Sequence, residues 1–394
     1  MSNGWVNYMS GANVLEPMRG YAFQFGNSNA AKTLSVTGVV NNGPISLSLN
    51  NNNQIYTNGF HLVSNPYPSP INWDAAAGWT KVNMDNVLYY FDTDEQSIYT
   101  SVYNTYINGI SSDGKANNFI PAMQAFFVRV SDGTYPVAGT LAINNKARLT
   151  HLSETHRKIN SIPFHTARLN VKFANSKIAD PCVIYFSADA TATFNKNLDA
   201  IKLMNTSETV PSIYSLKGKH KLSIQSAPPV TLSSKIPLGL AVKRSGEHSF
   251  EYSGLSTTPS GLFVYLYDSL NKKYIDLKHD PAYRIQLSAG EHNQQFSFIF
   301  SWHRLSNQLL AESNTTPDAF QLQVLHRNLF IVLPSTINAK KSVQLSNVLG
   351  QKLIQKDFIQ GGKYLIMQQL SSGVYFVTVI EGKIVSSKKI LIGE

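Results

Sequence analysis

The chain has 394 residues, 43% hydrophobic and 15% charged, with a net charge of +10 at pH 7 and a single cysteine. That length exceeds one ordinary core and points to two or three domains, while a lone cysteine excludes an internal disulfide framework and any multi-cysteine metal site. No run of about 18 apolar residues is present, which excludes a membrane-spanning helix, and Met1 to Gly20 lacks the basic start and apolar stretch of a secretory signal.

Plentiful Asn, Ser, Thr and Tyr suit half-buried strands joined by polar turns, so the fold class expected is all-β, with serial β-sandwich domains. Residues 1–148 read as a β-rich domain truncated at its N-terminal side. Within it Thr33 to Val40 and Ile45 to Asn50 alternate apolar and polar residues, and Asn41-Asn42-Gly43-Pro44 between them reads as a hairpin connection. Phe60 to Val63, Asn86 to Phe91 and Ala125 to Val130 are further strands, and the prolines of Asn65-Pro66-Tyr67-Pro68-Ser69-Pro70 forbid regular structure between the first two.

Residues 149–165 carry no period and read as a linker. Strands are then expected at Arg168 to Phe173, Val183 to Phe186, Ile236 to Val242, Leu262 to Tyr267, Tyr283 to Leu287 and Phe296 to Phe300, a sandwich spacing that defines a second domain at 166–302. A second polar linker, 303–318, precedes a module at 319–394, about the smallest size that holds a core unaided. Its strands fall at Leu329 to Leu333, Val343 to Leu345, Lys352 to Ile354, Val374 to Ile380 and Lys383 to Val385. From Phe320 onward nine basic residues face three acidic ones. They are scattered, without the interleaved Arg and aromatic platform of single-strand binders, so nucleic acid is not an expected partner.

Chemistry is sparse. No Gly-x-Ser-x-Gly elbow, Walker loop or dinucleotide fingerprint occurs, and no catalytic residue or cofactor is expected. His151-Leu152-Ser153-Glu154-Thr155-His156 has a His spacing of five, wrong for a zinc helix whose two imidazoles must share a face. Asp92-Thr93-Asp94-Glu95-Gln96 clusters oxygen ligands as a calcium loop would, but lacks the sixth-position glycine and the late bidentate Glu, so a solvated turn is the better reading. Cys182 alternates with Ile184 and Phe186 and reads as a small core hydrophobe. Tyr67, Trp73 and Trp79 stand in an aromatic-rich stretch, and flat rings beside Asn and Asp can stack on sugars; they are candidate contacts to a surface or environmental polysaccharide, against core filling as the plainer use.

At the C-terminus, Asn347-Val348-Leu349-Gly350-Gln351-Lys352-Leu353, Leu370-Ser371-Ser372-Gly373-Val374-Tyr375-Phe376-Val377 and Lys388-Lys389-Ile390-Leu391-Ile392 follow one another in order. They resemble the type A C-terminal sorting domain of type IX secretion substrates. That family usually opens on a Tyr-Pro-Asn-Pro-like turn, which Phe320 to Leu329 lacks. The resemblance implies a small Ig-like β-sandwich recognised by an outer-membrane translocon and sorting machinery, with the cargo anchored at the surface or released. It also implies that Gly350, Gln351, Lys352, Gly373, Tyr375, Lys388 and Lys389 are recognition features. Glu16 to Phe23, Asn65 to Trp73 and Ile120 to Val128 are similar to segments that precede this domain in large bacterial surface proteins. The function expected is therefore that of an exported, non-catalytic surface protein with adhesive or structural upstream domains; the alternative is a carbohydrate-binding module.

Overall fold

Alternation of side chains is what turns these sequences into half-buried strands. In the strand Ile45–Asn51, Leu47, Leu49 and Asn51 are buried while Ser46, Ser48 and Asn50 face water. The computed structural model describes residues 4–6, 14–23, 33, 35, 37–94, 97–149, 165–253, 259, 261–280, 282–305, 320–325, 327–333, 340–382 and 384–392. Among these, every regular element except the single 3₁₀ turn Asn145–Ala147 is a β-strand. The chain divides into two compact units, Met1–Asn307 and Gln308–Glu394.

In the first unit, a five-stranded sheet runs in the order Phe60–Ser64, Ala125–Arg129, Leu88–Asp94, Ser97–Ile107, Ile110–Ser111. A three-stranded sheet sets Val137–Ile143 between Ile45–Asn51 and Trp79–Val82. Leu47, Trp73, Phe126, Val128 and Leu141 pack in one core between them. The hairpin expected from Thr33 to Asn50 does not form among the described residues. Ile45–Asn51 pairs instead with Val137–Ile143, nearly a hundred residues away, and Thr37 to Val40 carries no strand. The reason is burial: Val39 and Val40 are 97% and 67% exposed, so their alternation has no apolar surface to face.

The strands expected between 166 and 302 all form and belong to one sheet of twelve. Its main path runs from Lys273–Asp276 through Phe263–Asp268, Phe296–Ser301, Ser233–Val242, Ser212–Lys217, His220–Ala227, Asp180–Phe186, Thr166–Phe173 and Gly246–Ser253 to Ala282–Leu287. Curling brings the two edge strands together. Tyr283, on one edge, donates its hydroxyl to Asp268 Oδ2 at 3.0 Å, and its ring lies 5.5 Å from Lys273 Nζ on the other. The result is a near-closed, barrel-like sheet around Leu169, Phe250, Leu266, Phe296 and Phe298. A further core joins the two stretches expected as separate domains: Val87, Tyr89 and Ile107 pack with Val183, Tyr185 and Ile224. The linker expected at 149–165 lies outside the described residues except at its two ends.

The second unit is a small sandwich. A three-stranded sheet (Gln321–Leu325, Asn328–Leu333, Gly362–Met367) faces a four-stranded one, ordered Lys352–Phe358, Lys341–Asn347, Gly373–Glu381, Ile384–Ile392. Phe320, Leu329 and Ile331 meet Val343, Leu345, Val377 and Val379 in its core. The first strand, Gln321–Leu325, forms without the Tyr-Pro-Asn-Pro-like turn and pairs with Asn328–Leu333.

Candidate functional site

Antiparallel register gathers the three C-terminal motifs at one end of the four-stranded sheet. Asn347 stands opposite Tyr375, Tyr375 opposite Ile390, Phe376 opposite Lys389 and Gly373 opposite Ile392. Lys352 returns beside Ser346 after the hairpin, across a register shift. Residues separated by up to forty-five positions in the sequence thus share one edge of the fold.

The hairpin between Lys341–Asn347 and Lys352–Phe358 is built by Asn347. Its Oδ1 accepts the backbone N–H groups of Leu349 and Gln351, each at 3.0 Å, and its amide donates to Gln351 Oε1 at 2.8 Å. Gly350 takes φ +77°, the left-handed region where a Cβ is penalised. Satisfied on the inside by one side chain, the turn holds Val348 and Leu349 out in water, 62% and 80% exposed.

Tyr375 is 9% exposed, packed in the core, with its hydroxyl donated to Ser371 O at 3.0 Å. Phe376, its neighbour, faces the opposite way and is 37% exposed. Lys388 reaches the carbonyl of Phe320 at 2.8 Å and lies 5.3 Å from that ring, tying the last strand to the entry of the unit. Lys389 is exposed. Tyr375 and Lys388 therefore shape the site from within and Gly350 through its turn, whereas Gln351, Lys352 and Lys389 are presented to solvent. Leu349, Phe376 and Leu391 stand within the motifs but outside the recognition residues that the resemblance implies. The available signal was that Gly373–Glu381 and Ile384–Ile392 carry apolar residues on both faces, Val374 and Phe376 as well as Tyr375 and Val377, which a one-sided sheet does not need.

The candidate sugar contacts have a different fate. Tyr67 and Trp73 are each 1% exposed and belong to the core of the first unit. Tyr67 donates its hydroxyl to Gly43 O at 2.5 Å, and Trp73 meets Trp79 edge-on at 4.9 Å. Stacking on a sugar requires an open ring face, and these two rings have none; they fill space between sheets. Trp79 is half-buried, with its indole N–H given to Asn72 O at 2.8 Å. Above this pair sits Lys81, whose Nζ is 3.5 Å from the Trp73 ring centre and bonds Trp73 O and Asn86 Oδ1. Burial pulls its pKa down to about 8, Asp74 countering only in part.

Elsewhere in the first unit three buried ion pairs join side chains of opposite charge. Lys202 Nζ lies 2.6 Å from both oxygens of Asp180, and Lys217 Nζ lies 2.9 and 3.2 Å from those of Asp199. Arg129 bonds Asp85 at 3.0 Å and also Asp132. Cys182 is fully buried, its thiol pushed up to about 12 by burial, far from a reactive thiolate. Asp92 accepts the Asn104 amide at 3.3 Å; Glu95 and Gln96, the other half of the calcium-like run, lie outside the described residues, as does His151 to His156. No group of three or more His, Cys, Asp or Glu among the described residues is arranged to hold a metal. Nor is any helix among them long and apolar enough to cross a membrane.

Comparison with known proteins adds two findings. Residues 1–300 match the family described as a domain of unknown function (DUF8693). Residues 326–393 match the secretion system C-terminal sorting domain. No curated protein matches the chain.

Proposed function

The chain belongs to the DUF8693 family and ends in a secretion system C-terminal sorting domain, which directs secretion across the outer membrane; from that premise we propose that its first unit is non-catalytic cargo, displayed at the cell surface as an adhesive or structural element. One observation carries the reading. The three motifs of the sorting domain converge on one end of a compact sandwich, where a translocon can engage them together. In support of a structural cargo, six buried charged groups are neutralised by one another, in the Arg129–Asp85, Lys202–Asp180 and Lys217–Asp199 pairs.

The test is export of the full chain behind a signal peptide, in a bacterium carrying this secretion system and in a translocon-deficient mutant. Surface or medium localisation only with the translocon intact supports the reading; periplasmic retention in both strains sinks it.

A second reading, polysaccharide contact, is favoured by a strip of rings on the outer face of the barrel-like sheet. Phe263, Tyr267 and Tyr274 are half-buried there, Tyr267 and Tyr274 with ring centres 4.6 Å apart and Lys235 Nζ 5.2 Å from Tyr267. Retention of the chain on insoluble polysaccharides, lost in Tyr267→Ala and Tyr274→Ala, is its measurement; equal retention of wild type and variants on inert resin removes it.

A further inference from the structure

The outer face of the four-stranded sheet is divided by register into rows. Lys352, Ser346, Phe376 and Lys389 form one row, and Val374 with Leu391 the next toward the hairpin tip. A polar row, Gln355, Gln344, Thr378 and Ser387, closes off the other side, with Thr378 and Ser387 hydrogen-bonded at 2.9 Å. At the motif end the exposed apolar groups are large: Leu391 is 74% exposed, Leu349 80%, Leu353 41% and Phe376 37%. Contiguous exposure of this kind, rimmed by charge, marks a surface meant to be covered.

Charge indicates what covers it. The rim at this end is basic, Lys352 and Lys389, both exposed. The unit's described acidic residues, Asp357 and Glu381, lie at the opposite end of the sheet, opposite Ser342 and Lys341, and are already paired with Lys340 and Lys341. A second copy of this chain meeting face to face would set basic rim against basic rim, which is repulsive in an isologous contact. An apolar protein surface ringed by carboxylates has the complementary form.

We propose that this face, centred on Phe376 and Leu391 and extended by the Leu349 hairpin tip, is the docking surface for an acidic-rimmed, apolar component of the outer-membrane secretion machinery. The inference rests on the sorting reading above and names the face that reading leaves open. Asn347 and Gly350 hold the tip, Tyr375 and Lys388 hold the strands, and the contact itself is made by the outward-facing residues of the same motifs.

The test uses the full chain behind a signal peptide, in strains with and without the translocon, comparing wild type with Phe376→Ser/Leu391→Ser, Leu349→Ser and Val385→Ser. Val385 is 63% exposed on the same sheet but beyond the polar row, so it serves as the control. Translocon-dependent export is expected to fall about tenfold or more in the first two variants and to stay at the wild-type level in the third. Leu349→Ser touches no core residue and keeps the test meaningful if the double variant fails to fold, as judged by thermal unfolding of each purified protein. Export of folded variants at the wild-type level overturns the proposal, as does an equal loss in Val385→Ser. A face that instead dimerises the purified chain, with the variants monomeric yet exported normally, also overturns it. Failure of wild type to be exported in either strain removes the sorting reading itself, a different result.

Discussion

Replacing Lys202 by methionine isolates the cost of one buried ion pair. The lysine side chain is 1% exposed and Asp180 is not exposed at all, so neither end has water to fall back on. Methionine keeps the aliphatic stem but removes the cation, leaving the carboxylate to the Ile213 N–H at 2.7 Å. Breaking a buried pair from one side costs about 3–5 kcal/mol, because an uncompensated charge remains. For a unit of this size that corresponds to a loss on the order of 10 °C in its thermal midpoint. The sign with pH is also fixed. Burial already raises the Asp180 pKa despite Lys202, and removing the cation raises it further. A carboxyl whose folded pKa lies above its unfolded value binds protons in the folded state that the unfolded chain has released. Stability therefore falls as pH rises through that window, and the deficit of Lys202→Met relative to wild type is smaller at acid than at alkaline pH. Differential scanning calorimetry of the full chain, following the first unit's transition across pH, measures both. A midpoint within about 3 °C of wild type at neutral pH, on the scale of 1 kcal/mol, would refute the claim that the pair is locked in the native interior.

Three other outcomes follow from the same geometry. Lys81 is expected to titrate near 8, measured by competitive acylation of its amine against pH; because its folded pKa lies below the unfolded one, the folded state sheds that proton first, and stability gains as pH rises from about 8 toward 10. Trp73→Ala is expected to lower stability of the first unit by about 3–5 kcal/mol, read by denaturant unfolding, since a large buried ring is removed from a core. Gly350→Val forces a β-branched residue into the left-handed region and is expected to cost the sorting sandwich about 1–2 kcal/mol, seen as a lower midpoint for its own transition.

Legibility in the sequence tracked how local each signal was. Strands such as Phe296–Ser301 and Gly373–Glu381 announce themselves because β-branched and aromatic runs end at turn residues within a few positions. Ser212–Lys217 and His220–Ala227 went unseen because their buried faces include Ser215, Lys217, Ser223 and Ser226, of which Lys217 and Ser226 are held by the buried Asp199 and Ser223 by Ala200 O, partners that no local pattern announces. The partner of Ile45–Asn51 was equally hidden: a local hairpin and a pairing with Val137–Ile143 have the same alternating pattern on one strand, and only the distant partner decides between them. Trp73 and Tyr67 show the same limit at the level of function. An aromatic beside Asn and Asp has one sequence signature whether it faces sugar or core, and burial separates the two uses.

The sorting motif combines residues of both kinds, and the fold explains why. A recognition surface on a small sandwich must be rigid, and a unit of about 75 residues has little core from which to obtain rigidity. Gly350 with Asn347 fixes a turn without any tertiary contact, Tyr375 ties its strand to Ser371 O, and Lys388 ties the last strand to Phe320 O. Each of these needs one particular residue type at one position, which makes it visible as a motif. Phe376, Leu391 and Leu349 need only be large, apolar and outward, a requirement several residue types satisfy. Within the motifs, substitutions at Asn347, Gly350, Tyr375 and Lys388 are therefore expected to act through stability, while those at Leu349, Phe376 and Leu391 act on export without unfolding the domain.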